Sequence, residues 1–202
     1  HAVSVGETRA VIALYALLIK THPKSQFVVS STTETGHAEA KRSLPGASTY
    51  FFLPLDFSFM IKKLVKQFQP TQLILVEGEF WYHLIDSVKK QGGQVFIVNG
   101  KISERSARRF NWAYFFTKTL FQKIDVLCVQ NELYRDRFVR IGVNPSKIHI
   151  TGNLKLDQLP PALERDQKGK WKEDLGITFQ DRVLVIGSTH DPEEEHILSI
   201  LE

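Results

Sequence analysis

The chain has 202 residues, of which 43% are hydrophobic and 24% charged, and it carries a net charge of +4. That balance excludes a disordered or fibrous chain and weakly favours anionic partners. The single cysteine, Cys128, rules out an internal disulfide, and no run approaches the roughly 20 apolar residues of a membrane-spanning helix. With neither a starting Met nor a signal peptide, the chain is expected to begin inside a longer protein.

In chain order, Ala2 to Val5 reads as a short buried strand and Ala10 to Ile19 as a buried helix, with Gly6-Glu7 at the turn between them. Phe27 to Ser31 is a second strand, followed by the polar loop Thr32-Thr33-Glu34-Thr35-Gly36 and a short helix through Ala38 to Leu44. Thr49 to Leu53 is a third strand, and Asp56 is placed as the N-cap of an amphipathic helix ending near Phe68. Leu73 to Val76 is a fourth strand, after which Glu77-Gly78-Glu79-Phe80-Trp81 opens a helix that Gly92-Gly93 ends. Val95 to Val98 is a fifth strand, and Asn99-Gly100 turns the chain into a helical, aromatic-rich stretch from Ser103 to Lys123. Two more strands, Val126 to Val129 and Ile148 to Ile150, flank a helix over Glu132 to Ile141.

Short apolar strands alternating with helices predict an α/β fold with a doubly wound, mostly parallel sheet. Near Asp157 the pattern changes. Leu159-Pro160-Pro161 and the charged stretch Glu164 to Asp174 read as an interdomain connection. Arg182 to Ile186 then starts a fresh strand, with Gly187-Ser188-Thr189-His190 and a helix from Pro192 behind it. Residues 1–157 are therefore expected to form one domain, and 158–202 a linker and the beginning of a second. One strand and one helix cannot bury a core, so truncation is expected at this end too.

Chemistry collects at the strand ends. Gly6-Glu7, Thr32 to Gly36, Glu77-Gly78-Glu79, Asn99-Gly100-Lys101 and Gly152-Asn153-Leu154-Lys155 all follow strands. Acidic and lysine-bearing turns on one rim suit a cleft for a polar, ionised substrate. Glu7 at a helix start serves either as a cap or as a reactive group. Thr32, Thr33 and Thr35 fit an ordinary loop as well as hydroxyl contacts to a ligand. Of Glu77 and Glu79, one is expected to face the cleft while the other caps a helix. Trp81 is a packed aromatic or a stacking platform. Lys101, Arg105, Arg108 and Arg109, interleaved with Phe110, Trp112, Tyr114, Phe115 and Phe116, make either a solvated helix face or a surface for lipid or phosphate, to which Lys62, Lys63 and Lys66 would add. His190 is a polar loop residue or an anion contact. There is no GxGxxG after the first strand, no phosphate-loop lysine motif, no HExxH and no zinc spacing of Cys and His, so any chemistry is expected to be metal-free.

Six of these stretches together resemble a known family. They are His1 to Thr8, Thr32 to Gly36, Val76 to Trp81, Asn99 to Ser106, Gly152 to Asp157 and Ser188 to Glu195. In this order they are similar to the successive motifs of the Kdo (3-deoxy-D-manno-octulosonic acid) transferases. The chain departs from the family's pattern at Tyr82, at Gly100-Lys101 and at Asp191-Pro192. The resemblance implies a GT-B glycosyltransferase with two facing Rossmann-like domains, here the acceptor domain and the start of the donor domain. It implies inverting, metal-independent transfer without a cofactor, from CMP-Kdo to a lipid A precursor. The implied setting is the cytoplasmic face of a Gram-negative inner membrane, with the membrane surface as a partner and no nucleic acid. The family's N-terminal membrane anchor and long C-terminal half are expected to lie outside this chain, which would leave the fragment inactive.

By the same resemblance, Glu7 is the expected general base, Glu77 a carboxylate stabilising positive charge on the sugar ring, and Lys155 a counter-charge for the departing phosphate. Acceptor contacts are expected from Gly6, Thr33, Thr35, Gly36, Glu79, Asn99, Ser103, Arg105 and Ser106. Donor contacts are expected from Asn153, Ser188, Thr189, His190 and Glu194, with no metal ligand. Two other classes compete: another nucleotide-sugar transferase or epimerase on the same fold, and a non-catalytic lipid-binding fragment.

Overall fold

The computed structural model describes residues 1–158, 165–178 and 180–201, without the side chains of residues 116, 158, 165 and 201. The chain divides into two compact units, His1–Leu159 and Pro160–Glu202. In the first unit, α1 (Val5–Ala10) and α2 (Ile12–Thr21) precede β1 (Val28–Ser31), α3 (Glu34–Ser43) and β2 (Thr49–Phe52). Then come α4 (Ser58–Phe68), β3 (Gln72–Val76), α5 (Tyr82–Lys90), β4 (Gln94–Gly100), α6 (Glu104–Trp112) and α7 (Tyr114–Phe121). β5 (Val126–Val129), α8 (Glu132–Arg140) and β6 (Ile148–Ile150) follow, with 3-10 turns at Pro145–Lys147 and Leu154–Gln158. The second unit contributes α9 (Arg165–Asp174) and α10 (Glu193–Leu201).

All strand pairs are parallel, in the orders β1-β2 and β3-β4-β5-β6. The first residues of the chain join the two sets. Ala2 N donates to Ser30 O in β1 at 3.0 Å, while on the other side His1 N donates to Ile74 O at 2.7 Å and Val76 N donates to His1 O at 3.1 Å. The sheet therefore runs β2, β1, residues 1–2, β3, β4, β5, β6. From the centre the chain winds outward to β2, then crosses back to β3 on the opposite side. That reversal is a topological switch point, where open α/β sheets bind ligands beyond their carboxyl strand ends.

Covering on both faces follows from the alternation of side chains along the central strands. Leu73 and Leu75 of β3 and Val95 and Ile97 of β4 join a cluster with Ile61, Ile85, Phe121 and Phe138. Val76 and Val98 join a separate cluster with Val11, Tyr15, Ala40 and Leu44 from α2, α3 and the residues beside them. The sheet is thus the doubly wound, parallel α/β layer that the alternation of elements predicts.

Several elements differ from expectation for identifiable reasons. The strand expected over Ala2–Val5 is cut short because Ser4 caps a helix starting at Val5, its hydroxyl accepting from Glu7 N at 3.4 Å. The helix expected over Ala10–Ile19 is broken at Val11, whose N–H makes a tighter bond to Thr8 O at 3.3 Å. Asp56 does not cap α4. Its carboxylate accepts from His83 N (2.9 Å) and Leu84 N (3.1 Å), so it caps α5 instead. The stretch Ser103 to Lys123 is two helices parted at Ala113. Arg182 to Ile186 forms no strand: a strand needs a backbone partner, and the second unit offers none among its described residues. The expected connection at Leu159-Pro160-Pro161 and Glu164 lies outside the described residues.

Candidate active site

A cleft of about 540 Å³ opens at the switch point, lined by Glu7, Glu77, Gly78, Glu79, Phe80, Lys101, Ile102, Ser103, Ser106, Phe110 and Tyr134. Glu7 enters it from the first turn of α1. Its carboxylate accepts from Val3 N at 2.6 Å, so it both closes the helix start and faces the cleft. Two residues of the Thr32–Gly36 loop fix that turn. The Thr33 hydroxyl donates to Val3 O at 2.8 Å and accepts from Gly36 N at 3.1 Å. A Cβ on Gly36 would stand 2.6 Å from Val3 O, so only glycine allows the two backbones this close. Thr33 and Gly36 thus act on the chain that carries Glu7, while Thr35 is exposed outside the cleft.

Burial raises the Glu7 carboxyl above its ordinary value, the Val3 N–H opposes that, the charge of Glu77 adds to it, and Lys101 lowers it. Glu79, half-buried across the cleft, is also raised, first by burial and then by the charge of Glu7. A carboxyl held above the usual range suits a proton acceptor working near neutral pH.

Glu77 is built differently. It follows β3 with φ +63°, a left-handed conformation costly for a residue with a Cβ, and it is buried. One carboxylate oxygen pairs with Lys101 Nζ. The other accepts from Asn99 Nδ2 at 3.4 Å and lies 3.5 Å from Lys155 Nζ. Asn99, at the end of β4, is fully buried with φ +54°. Its Oδ1 accepts from Leu154 N at 3.1 Å, and its backbone O accepts from Gln130 Nε2 at 3.2 Å. Asn99 therefore clamps the turn bearing Lys155 rather than presenting its amide to the cleft. Asn153 supports the same turn, its Oδ1 accepting from Lys155 N at 3.1 Å. Gly6 brings the Glu7 turn up to this lysine, since a Cβ there would lie 4.0 Å from Lys155 Nζ.

On the far wall Ser103 caps α6, accepting from Ser106 N at 3.1 Å and donating to Ser106 Oγ at 3.0 Å. The basic stretch behind them divides. Lys101 belongs to the cleft, and Arg108 joins Arg137 and Arg140 on Glu104, whose carboxyl Arg140 foremost holds down at about 2. Arg105 and Arg109 are exposed outside the cleft, as are Trp112 (92%) and Phe115 (83%). In the second unit the Thr189 hydroxyl donates to Glu194, and His190 N donates to Glu193 at 3.0 Å, beside Ser188 at φ +60°. Among the described residues no three His, Cys, Asp or Glu are arranged to hold a metal ion, and no helix is long and apolar enough to cross a membrane.

The sequence puts Lys101 in the lysine-bearing turn Asn99-Gly100-Lys101 on the cleft rim, where the structure has it, but it gives no sign of Tyr134, Phe80 or Phe110 there. Nothing in the sequence ties Tyr134, on α8, to a rim formed by β3 and β4.

A family model described as 3-deoxy-D-manno-octulosonic-acid transferase (kdotransferase) matches residues 1–158. Among curated proteins, a 3-deoxy-D-manno-octulosonic acid transferase of Chlamydia trachomatis is 36% identical over 96% of this chain and 45% of its own length. The protein of the same name from Haemophilus influenzae is 29% identical over 98% of the chain and 46% of its own length. A bifunctional glycosyltransferase/methyltransferase of Fusobacterium nucleatum is 30% identical over 100% of the chain and 32% of its own length. The chain spans about half the length of the transferases it matches. Among solved structures, a putative UDP-N-acetylglucosamine 2-epimerase from Listeria monocytogenes superposes with TM-score 0.57 at 12% identity, over 86% of this chain and 49% of that one.

Proposed function

Because the chain belongs to the 3-deoxy-D-manno-octulosonic acid transferase family, we propose that it carries the acceptor half of an enzyme moving Kdo from CMP-Kdo to a lipid A precursor. The observation that carries this reading is the Glu7 carboxylate, raised by burial and facing a switch-point cleft beside two lysines. Glu7 takes the proton from an acceptor hydroxyl as its oxygen attacks the anomeric carbon of the donor sugar. The bond from that carbon to the phosphate oxygen breaks, and CMP leaves with the electron pair. Attack opposite the leaving group inverts the anomeric centre and uses no metal. Lys155 offsets the charge that grows on the departing phosphate. Ser103 and Ser106 offer the acceptor sugar hydroxyls, and Glu79 a carboxylate that accepts hydrogen bonds from it. Asn153 sets the Lys155 turn, while Ser188, Thr189, His190 and Glu194 of the second unit are donor contacts.

Arg105, Arg108, Arg109 and Trp112 recur at helical spacing along α6, and Trp112 is almost wholly exposed. This stripe suits an anionic lipid surface at the cytoplasmic face of the inner membrane, from which the acceptor would be drawn. Mass spectrometry of lipid A precursor incubated with CMP-Kdo and the full-length protein tests the reading. A product heavier by Kdo supports it. Turnover with another nucleotide sugar alone points to a different transferase on this fold, and acceptor binding without any product points to a lipid-binding module.

A further inference from the structure

Glu77 has more cation around it than a buried carboxylate needs. Its side chain is 7% exposed, and a charge so enclosed is stable only when paired. One lysine would neutralise it, yet Lys101 and Lys155 approach its two oxygens from separate elements. The group as a whole then carries one positive charge in excess. Neither ammonium is used up. The side chains of Lys101 and Lys155 are 44% and 48% exposed, and an ammonium has three donors, most of them left over by the contact with Glu77.

The backbone is arranged to hold this grouping. Gly78 keeps the next turn close to Lys101, since a Cβ there would stand 3.3 Å from Lys101 O. Asn99 ties Glu77 to Leu154, fixing the root of Lys155. Positive φ angles at both Glu77 and Asn99 are maintained to do so.

We propose that Lys101 and Lys155, spread on the two oxygens of Glu77, form one anion seat beside Glu7, and that Lys101 binds a carboxylate or phosphoryl oxygen of the substrate directly. Glu77 is then a positioning residue whose effect is exerted through the two lysines, not on the sugar ring. An anion entering a cleft with Glu7 and Glu79 on its walls is repelled unless it meets such a seat. The proposal borrows its choice of probes from the transferase reading, but the seat itself rests on the charge arrangement.

The test uses the full-length protein with Lys101→Met and Lys101→Arg, each confirmed to melt as the parent does. Three probes are titrated by calorimetry: free Kdo, a carboxylate without phosphate; CMP, a phosphate without the sugar acid; and lipid A precursor. Lys101→Met is expected to weaken one of them roughly tenfold, with Arg recovering most of the loss. The probe affected names the source of the anion: sugar acid, donor phosphate or acceptor phosphate. Unchanged binding of all three in a stably folded Lys101→Met protein would overturn the proposal, as would equal loss in the Met and Arg variants. A parent that transfers no Kdo but loses CMP binding on Lys101→Met would sink the transferase reading and leave the seat standing.

Discussion

The turns Ser4 to Glu7 and Glu77 to Glu79 look alike in the sequence: each is acidic, each contains a glycine, and each follows an apolar run. In the structure they do opposite things. Glu7 is met by a backbone N–H, which orients its carboxylate and leaves it facing the cleft. Glu77 is met by two lysines and an asparagine, which consume its charge and lock it in place. A carboxylate is chemically available when dipoles position it, and becomes scaffold when cations neutralise it.

The largest effect that would break this contrast is at Glu7. In the full-length protein, Glu7→Gln should lower the proposed single-turnover transfer by roughly 10²–10⁴-fold while thermal stability stays near the parent's. Near-parental turnover would reduce Glu7 to a helix cap. The pH profile sharpens the same point. A base must be deprotonated, so activity should fall on the acid side at a pH above the ordinary 4.5 of a glutamate, because burial raises Glu7. Lys101 holds Glu7 down, so Lys101→Met should move that limb higher still. The stability linkage has the matching sign: a raised carboxyl favours folding at low pH, and that contribution is lost as pH rises through the folded-state value.

A smaller effect is expected where the Glu7 turn is anchored. Gly36→Ala places a methyl 2.6 Å from Val3 O, so the turn must shift, at a cost of about 1–3 kcal/mol in denaturant unfolding. Turnover should fall with it, whereas substrate-independent folding of β4 and β5 should not change. The smallest is at Asp56, the cap of α5 behind the Glu77 turn. Asp56→Ala should cost about 1 kcal/mol of stability with little change in turnover, and a drop in turnover comparable to that of Gly36→Ala would show that the Glu77 turn is less rigid than its bonding implies.

Much of the fold was legible because its signals are local. Apolar runs such as Leu73 to Val76 and Val126 to Val129 appear as strands β3 and β5 close to where the pattern puts them. Partners distant in sequence were not legible. Asp56 looked like the cap of the helix beside it, but the amides it holds belong to His83 and Leu84. The acidic turns, Lys101 and Lys155 could be read as lying on one rim. That Lys101 leaves its run of arginines for Glu77, while Arg108 turns to Glu104, depends on side-chain packing that no spacing encodes. Arg182 to Ile186 shows the opposite error, an apolar run with no strand to pair with among the described residues.

The bonds that join the two halves of the sheet also bear on when the site is assembled. His1 and Ile74, 73 residues apart, must meet for the halves to become one, whereas Glu77 and Asn99 on the far side are 22 apart. Closing the longer loop costs about 1 kcal/mol more in chain entropy. The β3–β6 half is therefore expected to form first, with the Ala2–Ser30 and His1–Ile74 contacts closing afterwards. Glu7 lies just beyond that late seam. On refolding of the full-length protein, the far-ultraviolet circular dichroism signal should return ahead of the proposed transfer activity, and simultaneous recovery of both would show that the seam forms with the rest of the sheet.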